Sequence, residues 1–326
     1  MRFLVTGATG KIGNAVARAL IDRGDAVAAL VRDPERARDQ LPAEVSLVEG
    51  DVTRPESLEP AARGVDGVFN CMGIYEQWLA DEETFERVNA EGAANVVRAA
   101  AAAGARRVVH TSTFDVFHAD RGGTVREDVV ADYPKGTAYE RSKQHAEKLV
   151  LAESAGTGIE LVIVNPAAVY GPGPWAAAGL DTAIRDAIRR RLPACPPGGL
   201  TTAYVDDVAA GHLAAFDRGT PGERYILADG YATIRDLCRA AVEAAGRGWV
   251  PPRMPGPVAR GMAAAGTGIS RVIRRPPLLP RGQLEFLRWQ ARADSSKAQR
   301  ELGFSPTPWQ EGIPRTVRWM EEAGHI

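Results

Sequence analysis

Thr6-Gly7-Ala8-Thr9-Gly10-Lys11-Ile12-Gly13 joins an apolar run, Arg2 to Thr6, to a helical pattern, Ile12 to Arg23. A glycine turn that ends a strand and opens a helix is the context a dinucleotide fingerprint requires. Gly7 permits the tight turn, Gly10 lets the backbone approach a pyrophosphate, and Gly13 lets the helix pack closely on the strand. Free N–H groups at the helix start then meet the phosphates, so Thr9, Lys11 and Ile12 join the glycines as candidate cofactor contacts.

Outward from this turn the order is strand, helix, strand, helix. Ala26 to Val31, Val45 to Val48, Val68 to Cys71, Arg107 to Thr111 and Ile159 to Asn165 are short apolar, β-branched runs with helical patterns between them. Parallel strands need crossover connections, and those carry helices, so the spacing predicts an α/β fold with a doubly wound parallel sheet. Later a helix is expected over Asp206 to Phe216 and a strand over Glu223 to Leu227, while Gly171-Pro172-Gly173-Pro174 and Pro193 to Gly199 read as loops or lids. The expected domains are a dinucleotide-binding unit at about 1–170 and about 203–229, and a smaller, partly helical substrate-binding unit at about 171–202 and about 230–326.

The 326 residues carry 40 Lys and Arg against 41 Asp and Glu, a net charge of −1, which gives no global field for nucleic acid or an anionic membrane. Cys71, Cys195 and Cys238 have no metal or disulfide spacing, and no histidine pair has ligand spacing, so no metal is expected. The glycine turn begins too early for a signal peptide and no apolar stretch is long enough to span a bilayer; a cytoplasmic protein without a membrane span is expected. One local anomaly stands out. Between Glu243 and Glu285 there is no acid, but seven arginines: Arg247, Arg253, Arg260, Arg271, Arg274, Arg275 and Arg281. A solvated face, an anionic substrate group and a membrane surface are its possible readings.

Cofactor choice is read at the end of the second strand, where an acid would bond the adenosine ribose. Val31 holds that position and Arg32 follows, which favours a cation meeting the extra phosphate of NADP, so NADP(H) is expected over NAD(H). Asp51-Val52, past the third strand, is placed to cap the adenine. Further along, Tyr139 and Lys143 lie four residues apart on one helix face. Carbonyl reduction needs a proton for the developing alkoxide, and a cation near the phenol is expected to lower its pKa and ready it for that exchange. Thr113 is the expected hydrogen-bond donor to the substrate oxygen, with Ser112 in reserve.

These motifs together resemble the extended branch of the short-chain dehydrogenase/reductase superfamily, with its Rossmann sheet, over most of the first 230 residues. The glycine turn, Asp51-Val52, Asn89 with Gly92 and Asn95, the Tyr139–Lys143 pair, Asn165-Pro166 and Tyr204-Val205-Asp206-Asp207-Val208 carry the likeness. It implies a Thr113, Tyr139 and Lys143 triad, Asn165 and Pro166 near the nicotinamide, and a structural role for Asp206-Asp207. Within the branch, Val31-Arg32-Asp33-Pro34 is similar to the dihydroflavonol reductase, 3β-hydroxysteroid dehydrogenase and hopanoid-associated epimerase-like groups.

Tyr75, Trp78, Trp175 and Tyr204 are expected to line the substrate pocket, and an aromatic mouth suits a bulky, partly apolar ketone or alcohol as the small-molecule partner. Two alternatives follow: a nucleotide-sugar epimerase/dehydratase holding NAD tightly, and a non-catalytic dinucleotide-binding regulator. A homodimer through the Ala-rich helix around Glu91 to Ala103 is a possibility, as is packing of that helix on its own sheet.

Overall fold

The structure, a computed structural model, describes residues 1–75, 78–174, 179–273 and 276–326, without the side chains of 271–273. Trp175, Arg274 and Arg275 therefore lie outside the described residues. The strands in chain order are β1 (Arg2–Thr6), β2 (Ala26–Val31), β3 (Ser46–Glu49), β4 (Gly67–Asn70), β5 (Arg107–Thr111), β6 (Thr124–Val125), β7 (Glu160–Pro166), β8 (Ala168–Tyr170), β9 (Gly199–Tyr204), β10 (Arg224–Leu227), β11 (Gly230–Thr233) and β12 (Arg292–Ala293).

Seven of them form one parallel sheet in the order β3-β2-β1-β4-β5-β7-β10, the doubly wound arrangement the sequence predicts. Alternation splits each strand between two cores. Phe3, Val5, Phe69 and Val109 pack with Val16, Leu20 and Phe216 from helices Lys11–Asp22 and Val205–Arg218. Leu4, Val68, Val108 and Leu161 pack with Val96, Val97 and Val150 from helices Gly92–Ala102 and Ala138–Thr157 on the other face. The Ala-rich helix thus lies on its own sheet through Ala93, Val96, Val97 and Ala100.

β8, β9 and β11 make a second, three-stranded sheet, with β8 parallel and β11 antiparallel to β9. Part of the stretch read as loop is therefore strand, because Gly199 opens β9. The last third is also more helical than its proline content predicts, with helices Gly256–Ile273, Arg281–Trp289 and Trp309–Glu322. Here proline starts helices instead of breaking them: Pro280 and Pro308 sit at N-caps, where a missing N–H costs nothing. β12 pairs with β6, which ties this C-terminal segment to the connection that leaves β5.

Candidate active site

At the end of β1, Gly7 has φ +67°, and a Cβ there would lie 2.7 Å from Met72 Cα. A Cβ on Gly13 would lie 2.3 Å from the Gly7 carbonyl oxygen, so the helix can start this close to the strand only without side chains at both positions. Gly10 donates its N–H to the Gly7 carbonyl at 2.9 Å and caps the helix with no side-chain partner. The first-turn N–H groups of Lys11, Ile12 and Gly13 lack carbonyls of their own helix, and the cradle suits a pyrophosphate. Half-buried Thr9 lies in the turn. The Lys11 side chain has a role of its own: its ammonium pairs with Asp181 at 2.7 Å and donates to the Gly171 carbonyl at 2.5 Å. Its side chain braces the turn against the chain beyond β8, leaving its backbone N–H for a phosphate.

Arg32 is exposed at the end of β2, while Asp33 is held as the cap of helix Pro34–Arg38, accepting the Arg36 N–H at 3.1 Å. Asp51 accepts from Thr53 N and Oγ1 at 2.9 and 2.8 Å. Burial would raise the Asp51 pKa, but these bonds and the charges of Arg32 and Arg54 hold it below the ordinary carboxylate value. Asn95 donates to the Val52 carbonyl at 3.0 Å, which fixes the Asp51-Val52 loop over the second core.

The catalytic helix begins where a capping box sets it: Thr137 Oγ1 accepts the Glu140 N–H at 3.1 Å, and Glu140 Oε2 accepts the Thr137 N–H at 2.8 Å. Tyr139 and Lys143 follow within the first two turns. Tyr139 is half-buried, bonds the Thr113 hydroxyl, and meets Phe85 edge-on at 6.4 Å. Lys143 is 4% exposed and donates to the Thr111 carbonyl at 2.8 Å. Asn89 braces the group: its amide bonds Ser142 Oγ at 3.0 Å and the Ile74 carbonyl at 2.9 Å, joining the loop after β4 to the catalytic helix.

The electrostatics correct one expectation. The Tyr139 phenol is held above its ordinary pKa by burial, then by the nearby Asp115 charge, while only the Thr113 hydroxyl pulls the other way among its leading influences. Lys143, whose ammonium is held on the Thr111 carbonyl, is not among those leading influences. Burial in turn drops Lys143 to about 8, against the pull of Glu147. Tyr139 is thus a proton holder across the neutral range.

Asn165 lies behind Thr113. It is fully enclosed; its amide donates to the Thr113 carbonyl at 3.1 Å and to Glu147 Oε1 at 2.8 Å, and Glu147 pairs with Arg224 at 2.7 Å. These bonds make it a brace for Thr113, and Pro166 beside it ends β7 in the ladder against Leu227. Tyr204, expected in the pocket, is 5% exposed and packs against Tyr170 at 5.7 Å in the core beside the second sheet. Tyr75 is 49% exposed and Trp78 half-buried on the loop after β4. Asp207 is structural as expected, accepting Thr307 N at 2.6 Å. Cys71 is pushed up to about 12 by burial, which makes it a filler and not a nucleophile. Ser112, the reserve donor, has a buried hydroxyl with no protein partner.

Phe114, next to Thr113 in the chain, is itself a core residue, 2% exposed, stacked on half-buried Trp289 at 5.7 Å and 22° and met edge-on by half-buried Phe286 at 5.9 Å. The Lys135 ammonium lies 4.4 Å from the Trp289 ring centroid. No local pattern links residues 114 and 289, so this stack was not readable. Asp115 was within reach: a lone acid among Phe114, Val116 and Phe117, two residues past Thr113. It is 6% exposed and its Oδ1 has no hydrogen-bond partner among the described residues. Burial, then the Glu140 charge, raises it to about 7.

A carboxyl held above its unfolded pKa stabilises the fold fully below about pH 4 and loses that contribution as pH rises through about 7. Asp115→Asn, nearly isosteric, is therefore expected to stabilise the protein at pH 8 by up to about 4 kcal/mol and to have little effect at pH 4. Melting temperatures of both proteins at the two pH values check this; an equal shift at both would mean that Asp115 does not titrate in the native state.

The family described as NAD dependent epimerase/dehydratase matches residues 3–228. Sterol demethylase protein B of Methylococcus capsulatus is 33% identical over 335 residues, covering 100% of both chains. The 4-hydroxy-2-methyl-3-oxo-4-farnesyl-3,4-dihydroquinoline-1-oxide ketoreductase of Stigmatella aurantiaca is 32% identical over 94% of this chain and 92% of its own. The crystal structure of UDP-glucose 4-epimerase from Thermus thermophilus in complex with NAD superposes with a TM-score of 0.78 at 25% identity, covering 99% of this chain and 100% of that one. Likeness of this extent, on a fold carrying the glycine cradle, makes the chain a nicotinamide dinucleotide-binding enzyme of the extended short-chain dehydrogenase/reductase type, and it belongs to the NAD dependent epimerase/dehydratase family.

Proposed function

We propose that this enzyme is an NADP-dependent reductase or dehydrogenase that interconverts a bulky, largely apolar ketone and its secondary alcohol. The observation that carries the reading is the meeting of Thr113, Tyr139 and Lys143 at the carboxyl end of β5. Half-buried Phe286 and Trp289, packed on Phe114 next to Thr113, would offer apolar surface to a bulky substrate held there. Relatives named for a sterol and for a farnesylated quinoline oxide point the same way. When bound, the nicotinamide supplies or accepts the hydride.

The protein's part is positioning and proton handling. Thr113 holds the substrate oxygen against Tyr139, whose raised pKa keeps its proton in place for the alkoxide that forms during reduction. Lys143, anchored on the Thr111 carbonyl, is the residue to hold the nicotinamide ribose hydroxyls. The glycine cradle would take the pyrophosphate, Asp51 and Val52 the adenine, and Arg32 the ribose phosphate.

The NADP preference rests on Arg32 being exposed while Asp33 is tied to its helix cap. Arg32→Ala is expected to weaken NADPH binding by about tenfold, as the loss of one charge-assisted phosphate contact implies, and to leave NADH unchanged. Fluorescence titration of both nucleotides checks it; equal NADPH affinity in wild type and variant would remove the basis of the preference. The nucleotide released on denaturation tests the whole reading. Little nucleotide, with exchangeable binding that favours NADPH, supports a reductase and leads to a panel of bulky ketones. Stoichiometric, tightly held NAD would favour the epimerase chemistry of the structural relative that binds NAD.

A further inference from the structure

Helix Gly256–Ile273 buries one stripe, Ala259, Ala263 and Ser270, against helix Arg281–Trp289 and the chain before it. A second apolar stripe faces solvent beside it. Val258, Met262 and Ile269, at i, i+4 and i+11, are 50%, 41% and 58% exposed, and Leu278 in the following turn is 96% exposed. On the other flank of the buried stripe stands exposed Arg260, and exposed Arg281 opens the next helix. Among the described side chains, the outward edge between the flanks holds the small residues Pro257, Gly261, Ala264, Ala265 and Gly268. Residues 244–284 contain seven arginines and no acid to neutralise them, in a chain whose net charge is −1.

We propose that this helix, together with Leu278, docks the enzyme peripherally on an anionic lipid bilayer, the apolar flank entering the headgroup boundary and the flank of Arg260 and Arg281 meeting lipid phosphates. Val258, Met262, Ile269 and Leu278, exposed along an acid-free, arginine-rich segment, fit an interfacial helix. Among the described residues no helix is long and apolar enough to cross a membrane, so the attachment lies on the surface. The docking helix packs on helix Arg281–Trp289, whose Phe286 and Trp289 meet Phe114 beside Thr113. The bilayer would therefore stand on the side of the molecule where half-buried Phe286 and Trp289 lie. The inference does not depend on which substrate the cleft takes.

The test is co-sedimentation of the full chain with vesicles of phosphatidylcholine and with vesicles of equal parts phosphatidylcholine and phosphatidylglycerol, at low and high salt. Binding is expected to be at least about tenfold tighter to the anionic vesicles and to weaken with salt. The Met262→Glu/Ile269→Glu variant, changed only at exposed positions, should keep the wild-type melting temperature and lose that binding by a similar factor. Absence of binding to anionic vesicles, or undiminished binding by the folded variant, overturns the proposal. Light scattering covers the other occupant: a wild-type dimer that the same variant splits into monomers would make this face an interface between copies and overturn lipid docking.

Discussion

Replacing Tyr139 by phenylalanine is expected to lower turnover about 10³-fold while leaving nucleotide affinity within about twofold, since only the proton donor is lost. The phenol sits half-buried against Phe85 and bonds Thr113, so the ring keeps its packing when the hydroxyl goes. Of the groups beside Thr113, Asp115 also carries a proton up to about pH 7, and it lies in the next turn of chain. It is the group that would substitute if Tyr139 were not the acid. Rates for wild type, Tyr139→Phe and Asp115→Asn on one ketone, with nucleotide titrations alongside, separate the two. Full turnover in Tyr139→Phe would sink the proposed mechanism.

Lys143→Met is expected to cost about 10²-fold in turnover and about tenfold in nucleotide affinity, and at the same time to stabilise the protein. Met matches the volume of a side chain that is 4% exposed but has no ammonium for the Thr111 carbonyl or a ribose hydroxyl. The stability gain follows from linkage. A lysine with its pKa lowered from 10.5 to about 8 contributes its full stability only above about pH 10.5 and loses it as pH falls through 8. At pH 7 the buried ammonium therefore costs on the order of 3 kcal/mol, which the substitution removes. In wild type, loss of the ammonium above about pH 8 should also lower activity on the alkaline side. A variant that is slower, binds nucleotide weakly and melts higher than wild type is the expected result. Loss of activity together with a lower melting temperature would mean that Lys143 is there for the fold.

The parts of the site that were legible in sequence are those that a single element fixes. A strand–turn–helix with glycines at 7, 10 and 13 has few ways to fold, because side chains at Gly7 and Gly13 would collide with backbone. Tyr139 and Lys143 share a helix face by periodicity, and the cap at Thr137 places that face. The Phe114–Trp289 stack was not legible. Phe114 and Trp289 are brought together by the C-terminal segment pairing with β6, a two-residue ladder with no pattern of its own. Tyr204 was misread for the same reason: whether an aromatic faces a cleft or a core depends on the second sheet, whose short strands lie among glycines and prolines.

By itself the sequence determined the parallel sheet and its crossover helices, the nucleotide cradle, and the pairing of phenol with ammonium, since each follows from local periodicity and from positions where only glycine fits. Tertiary structure alone decided the charge states. Lys143 turned to the Thr111 carbonyl and Lys11 to Asp181, while Asp115 entered the site with an unpartnered oxygen. The physical reason is burial: desolvation and the nearest charge set a proton's affinity, and both depend on neighbours far away in the chain.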